Sequence, residues 1–169
     1  PRMAEVGNHE NITLLTMAEV EEVEGYVGNF KVKINQVPRY VDIEKCTSCG
    51  DCSDICPVDI PAEFDAFLSY RKAIYIPFAQ AVPSAYVLDM ENCLGVEAVK
   101  CGKCEDKCEA KAISYDDKEK TIEIEVGTII VSTGFELFDA SKKEEYGYGH
   151  FPNVVNLGEI ERMLSSAGP

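Results

Sequence analysis

Apolar and polar positions alternate in two stretches near the start of the chain, Glu19 to Glu24 and Phe30-Lys31-Val32-Lys33-Ile34, with turn formers from Gly25 to Asn29 between them. A period of two sends every second side chain to one face, so the pattern predicts a β-hairpin with one buried and one solvated face. Thr121-Ile122-Glu123-Ile124-Glu125-Val126 alternates in the same way and predicts another strand. Two continuous apolar runs, Ile12 to Thr16 and Gly127 to Gly134, read as buried strands, the second closing on Ser132-Thr133-Gly134. Ligands in α/β sheets sit at the carboxyl ends of strands, so Ser132, Thr133 and Gly134 form a candidate contact, although a Thr-Gly ending also serves as a simple turn. Ala62 to Arg71 carries a helical pattern. Pro77 and Pro83 forbid a long helix in the apolar stretch Ile74 to Val82.

Length and charge narrow the classes. A chain of 169 residues suits one domain or a domain plus a fragment. Its 46% apolar content excludes wholesale disorder. No stretch approaches the 18 or so apolar residues of a membrane-spanning helix. Sixteen basic against thirty acidic residues leave a net charge of −14, which argues against nucleic acid as a partner. The unusual feature is eight cysteines, all between Cys46 and Cys108.

Three chemistries use clustered cysteine. A disulfide scaffold goes with a secretory leader, and Pro1 to Glu10 has neither a basic nor an apolar leader region. Zinc could take Cys46-x-x-Cys49 and Cys101-x-x-Cys104, but four cysteines would be left over. The third reading uses all eight. Cys46, Cys49, Cys52, Cys56 and Pro57 match C-x2-C-x2-C-x3-C-P, the bacterial ferredoxin run, whose fourth cysteine ligates the other cluster of a two-cluster protein. In this reading the fourth cysteine begins a helix and faces away from the first three. A second run, Cys93, Cys101, Cys104 and Cys108, follows with the spacing C-x7-C-x2-C-x3-C. The crossing rule assigns one [4Fe–4S] cluster to Cys46, Cys49, Cys52 and Cys108, and the other to Cys93, Cys101, Cys104 and Cys56. The second run departs from the pattern twice: Leu94 to Lys100 form an insertion expected to bulge outward, and Glu109 stands where proline is usual.

The two halves repeat beyond the cysteines. Asp42-Ile43-Glu44-Lys45-Cys46 parallels Asp89-Met90-Glu91-Asn92-Cys93, with Tyr40 and Tyr86 just upstream. Such repetition predicts a pseudo-twofold unit, each half a short strand, a ligand loop and a helix. The fold class is therefore α+β, a two-[4Fe–4S] ferredoxin-like domain. Tyr40 and Tyr86 are expected in its core. Gly50 and Gly102 follow ligand cysteines, where a positive φ brings backbone N–H groups toward sulfur. Lys103, Lys107 and Lys111 would share a helix face, either solvated or facing an acidic partner. His9 and His150 show no ligand spacing. The Ile74–Val82 stretch either covers a cluster or packs on the domain's own core.

The order of Tyr26-Val27-Gly28-Asn29-Phe30, the ferredoxin run, Lys72 to Pro83, Gly127 to Gly134 and Asn156 to Leu164 resembles the A-type subunit of heterodisulfide reductase, a flavoprotein family of methanogens and other anaerobes. In that family a two-cluster ferredoxin domain interrupts a thioredoxin-reductase-like FAD domain. The resemblance implies three spans. Residues 1–38 would be a partial flavin-domain strand and hairpin, 39–116 the ferredoxin domain, and 117–169 the returning flavin-domain strands and a C-terminal helix. It places Ser132, Thr133 and Gly134 beside FAD, with serine in place of the family's alanine. No G-x-G-x-x-G occurs, so the chain reads as a fragment that does not hold the FAD of its full-length parent on its own.

The resemblance further implies single-electron relay between an external redox partner and that flavin. The parent would be an electron-bifurcating oxidoreductase. Its partners would be the other heterodisulfide reductase subunits, ferredoxin, and a hydrogenase or formate dehydrogenase, with no nucleic acid and no membrane. Oxygen-sensitive thiolates place it in the cytoplasm. No catalytic dyad or nucleophile is evident in the chain itself. The competing function is a structural iron–sulfur or zinc module that holds a partner-binding surface.

Overall fold

The computed structural model describes residues 2–95 and 100–169. In chain order its helices and strands are α1 (Arg2–Gly7), β1 (Ala18–Tyr26), β2 (Asn29–Gln36), α2 (Asp51–Asp54), β3 (Ile60–Pro61), β4 (Tyr70–Arg71), β5 (Ile74–Tyr75), β6 (Val87–Leu88), α3 (Lys103–Lys107), β7 (Lys120–Val126) and α4 (Leu157–Leu164). Three-residue 3-10 turns at Glu63–Asp65, Ala140–Lys142 and Glu144–Tyr146 complete the set. The mixed helix and strand content agrees with the α+β expectation. Among the described residues no helix is long and apolar enough to cross a membrane.

The chain forms two compact units. The first comprises Pro1–Val58 and Lys72–Val131, and the second Asp59–Arg71 and Ser132–Pro169. Residues 59–71 thus group with the C-terminal segment, although they lie inside the 39–116 span.

In the first unit β1, β2 and β7 form an antiparallel sheet with β2 in the centre. The expected hairpin is present, and Thr121–Val126 adds to it as expected. Val20 and Val23 are three residues apart, and in a regular strand they would face opposite ways. A register shift between Val20 and Glu22 instead pairs Val20 with Ile34 and Val23 with Val32. The bulge therefore delivers both valines to the face shared by Ile122 and Ile124. On the other face Glu24, Lys31 and Glu125 line up across the three strands, as do Glu22, Lys33 and Glu123. Opposite charges on neighbouring strands support this register. The extra residue, Glu21, reaches Lys33 at 2.8 Å and raises its pKa.

Beside the sheet lies a core built from Val41, Cys52, Ile74, Leu88, Cys104, Ala112 and Ile113. Tyr40 and Tyr86 pack against it, as expected. Ile74 is fully buried, so the 74–82 stretch begins on the unit's own core. The pairing is crossed. Val41, before the first cysteine loop, bridges Ile113, after the second. Ile74 and Tyr75, after the first loop, pair with Leu88 and Val87, before the second. Asp42 N–H donates to Ala112 O at 2.7 Å and Asp89 N–H to Ala73 O at 2.8 Å, extending each pairing by one residue.

Several expectations fail for identifiable reasons. Ile12–Thr16 is not a strand, because Met17 adopts a left-handed φ of 57° and turns the chain off the end of β1. Gly127–Thr133 is also irregular, and Ile130 is 87% exposed. Its neighbour β2 ends at the Val27–Gly28 turn, where Gly28 N–H donates to Gly127 O at 2.9 Å, so no strand continues alongside. Ala62–Arg71 is not a helix. Pro61 pairs with Tyr70 and Ile60 with Arg71, which brings the ends of the segment to strand-pairing distance. A ten-residue helix would hold them about 15 Å apart. The segment turns instead through Glu63–Asp65 and the left-handed residues Ala66 and Phe67.

The second unit joins this loop to α4. Arg162 of α4 donates through Nε and Nη2 to Asp65 Oδ1, at 3.0 and 2.8 Å, and lies 4.4 Å from the Phe64 ring centroid. The helix begins with a capping box. Asn156 Oδ1 accepts from the Glu159 amide at 2.9 Å, and Glu159 Oε2 accepts from the Asn156 amide at 2.7 Å.

Candidate metal centre

Each cysteine loop starts from an aspartate that bends the backbone. Asp42 Oδ1 accepts from the amides of Glu44 and Lys45, and Asp89 Oδ1 accepts from those of Glu91 and Asn92. These turns lead into Cys46 and Cys93. Gly50 and Gly102 take positive φ values of 98° and 58°, as expected of residues that reverse the loop into a helix. Backbone N–H groups do approach sulfur in these loops. Gly95 N–H donates to Cys93 Sγ at 3.3 Å and Ala112 N–H to Cys108 Sγ at 3.4 Å, while the amides of Ser53 and Glu105 lie against Cys52 and Cys104.

Third cysteines sit inside the helices and fourth ones beyond them. Cys52 lies in α2, with Cys56 after its end, while Cys104 lies in α3 and Cys108 caps that helix. The fourth cysteines therefore follow short helices rather than begin them. These helices are one turn long, and that ending points Cys56 and Cys108 back toward the other half. Because α3 stops at Lys107 and Lys111 takes a φ of 48°, Lys111 leaves the face expected to hold it with Lys103 and Lys107.

A cavity of about 360 Å³ is lined by Cys46, Cys49, Cys52 and Cys108, together with Val41, Tyr86, Ala112 and Ile113. Three of these cysteines belong to the first run, and the fourth arrives from the second. Among the remaining four, Cys93 feels the charge of Cys56 and Cys101, and Cys104 that of Cys93 and Cys56, while Cys52 of the first group feels Cys104 as well as Cys46 and Cys49. α2 and α3 pack together, bringing the two groups side by side. Leu94 and Gly95 open the insertion in the second run, and residues 96–99 lie outside the described ones.

The donor chemistry fits a polynuclear cation. Burial pushes the Cys52 thiol up to about 12 and raises Cys93 and Cys104 as well, while the Ser53, Gly95 and Glu105 amides oppose the shift. Crowded, buried thiols of this kind ionise in place only when bound cations compensate them. Among the described residues no three His, Cys, Asp or Glu side chains converge tightly enough to hold a single metal ion.

Two residues with no motif to mark them support the site. Arg39 donates from Nη1 to the carbonyls of Ala85 and Tyr86, at 2.9 and 3.3 Å, and from Nη2 to Thr16 Oγ1 at 3.2 Å, and burial lowers its pKa. Its own carbonyl accepts from Leu88 N–H at 3.1 Å, so it ties the approach to one loop to the approach to the other. Tyr115 packs on the core, with its hydroxyl 3.3 Å from Cys104 Sγ. The only sequence signal for Tyr115 is its place two residues after buried Ile113. Ser132, Thr133 and Gly134 are exposed and irregular, and Gly134 has a φ of 75°.

The class follows from these loops: the chain carries an iron–sulfur domain, and residues 39–61 match the family described as the 4Fe-4S binding domain. Over its whole length the chain is also similar to curated proteins. It is 52% identical to the A-type iron-sulfur subunit of CoB–CoM heterodisulfide reductase from Methanocaldococcus jannaschii, and 50% to the A-type subunit of the H2/formate:CoB-CoM heterodisulfide,ferredoxin reductase from Methanococcus maripaludis. Identity is 46% to the A-type subunit of the ferredoxin:CoB-CoM heterodisulfide reductase from Methanosarcina mazei. These matches cover 100% of the chain but 25%, 25% and 21% of the respective relatives. The chain is therefore similar along its whole length to A-type heterodisulfide reductase subunits, and it spans about a quarter of the length of these relatives.

Proposed function

We propose that the chain holds two [4Fe–4S] clusters, one on Cys46, Cys49, Cys52 and Cys108 and one on Cys56, Cys93, Cys101 and Cys104, in a pseudo-twofold ferredoxin domain spanning 39–116. The observation that carries this reading is the cavity that recruits Cys108 to the first run, as the crossing rule requires. Bound there, each cluster stores and releases one electron without a proton. The chain's own groups bind and tune. Eight thiolates supply the ligands, and the amides of Ser53, Gly95, Glu105 and Ala112 offset sulfur charge and so raise the potential.

The domain relays single electrons between an external redox partner and the flavin of a heterodisulfide-reductase-type enzyme that couples this flow by bifurcation. Residues 1–38 and 117–169 belong to that enzyme's flavin domain. The β1-β2-β7 sheet supports this assignment, since strands from both sides of the cysteine region share it. Ser132, Thr133 and Gly134 contribute to an FAD site completed by other segments of the full-length polypeptide. The relatives' names point to ferredoxin and to a hydrogen- or formate-linked enzyme as partners, along with other subunits of the complex. Thiolates that must stay reduced suit a cytoplasmic setting.

Anaerobic reconstitution tests the reading. The chain should carry about eight iron and eight sulfide, and its brown absorbance should bleach reversibly with dithionite. Cys49→Ala should remove about four iron and one cluster's EPR signal. Zinc in place of iron, or clusters that cannot be reduced, would establish a structural module instead.

A further inference from the structure

The two cysteine groups are served by different side chains. Around the second, one residue meets two parts of the ligand run. A Cβ on Gly95 would lie 3.2 Å from Tyr115 Cε1 and 3.4 Å from Cys93 Sγ, so the aromatic ring covers the turn at the start of the insertion. The hydroxyl of the same residue reaches Cys104 Sγ at 3.3 Å. Near the first group the corresponding approach is looser. Tyr86 lines that cavity, and its hydroxyl lies 3.6 Å from where a Cβ of Gly50 would be.

We propose that Tyr115 is the positioning residue of the second cluster: its ring holds the Gly95 turn against Cys93, and its hydroxyl donates a hydrogen bond to Cys104 that raises this cluster's reduction potential. The inference rests on the ligand assignment above. A metal-bound thiolate carries no proton, so the phenol is the donor and the sulfur the acceptor. The bond strengthens as negative charge on the sulfur increases, and it therefore favours the reduced form. No covalent bond changes and no proton leaves the phenol. The ring's grip on Gly95 also explains how a run with a seven-residue spacing keeps Cys93 beside its partners.

The test is a reductive EPR titration of the intact, anaerobically purified protein. Cys49→Ala is used as background, so that the second cluster is observed alone. Tyr115→Phe keeps the ring and removes the donor. The equilibrium constant for reduction should fall roughly tenfold, a decrease of about 59 mV for one electron. Replacing Tyr115 with 3-fluorotyrosine makes the phenol a stronger donor with almost no change in shape, and should shift the midpoint the opposite way. With the original Cys49 restored, the first cluster's midpoint should not move. Unchanged midpoints in both variants with the cluster retained, or equal shifts of both clusters, overturn the inference and leave the ligand assignment standing. A Cys49→Ala protein that contains no iron at all overturns the ligand assignment, and the inference with it.

Discussion

Removing the Arg162 guanidinium should release the 59–71 loop within the second unit. Its two N–H donors converge on Asp65 Oδ1, and only 13% and 19% of the two side chains remain exposed, so the pair is less screened than a surface pair. We assign about 1 kcal/mol to this charged contact. The Phe64 ring beneath the guanidinium adds about 0.5–1 kcal/mol, and the covered stem brings the total to about 2 kcal/mol. The reporters are local: the amides of Ala62 and Phe67 donate to Ser69 O and Ala62 O, both at 2.9 Å. Hydrogen exchange followed by mass spectrometry should show the 59–71 peptides opening about 30-fold more often in Arg162→Ala. A double-mutant cycle with Asp65→Ala should return a coupling near 1 kcal/mol. Exchange within threefold of the parent, or a coupling below about 0.3 kcal/mol, would refute the assignment.

Acid should loosen the same loop. The Ser69 hydroxyl, then Arg162, hold the Asp65 pKa below the ordinary value of about 3.9 expected for the unfolded chain. This stabilisation is complete above that value and is lost as pH falls through the lower folded pKa, so pepsin cleavage within 59–71 should rise between roughly pH 5 and pH 2. Asp65→Asn should remove the step, and an identical step in that variant would contradict the linkage. In the hairpin, a Cβ on Gly25 would lie 2.1 Å from Asn29 O at a φ of 101°, whereas Gly28, at 95°, has open space. Gly25→Ala should therefore cost about 2–3 kcal/mol and Gly28→Ala about 1 kcal/mol, read from denaturant midpoints; equal costs would show that strain alone governs both sites.

What the chain reveals before folding is uneven for physical reasons. The hairpin and β7 are legible because Val32, Lys33, Ile34 and Ile122 to Glu125 keep a strict period of two. The bulge that brings Val20 and Val23 to one face is not, since the same letters also suit a regular strand. Cysteine spacing is legible at any distance, because a thiolate cluster site needs cysteine at set intervals. Arg39 and Tyr115 have no such code: their partners include residues 16, 85–86 and 88 for the first and 104 for the second, and only the folded chain brings those atoms near. Ala62–Arg71 misleads because its apolar residues suit a helix, while the pairing of its two ends, a tertiary fact, forbids one.

The crossed pairing of the core also sets an order of events during synthesis. Val41 is made early, but its bridge partner Ile113 emerges only after both cysteine runs have been translated. Ile74 must likewise wait for Leu88. A nascent chain that exposes Cys46 to Cys56 thus presents loose thiols with no closed core behind them. Under the proposed ligand sets, iron delivered at that stage would meet three or fewer of the four thiolates of either cluster. The core therefore closes only once residue 113 has emerged, and it ties the two halves together: each cysteine run leans on a strand beside the other.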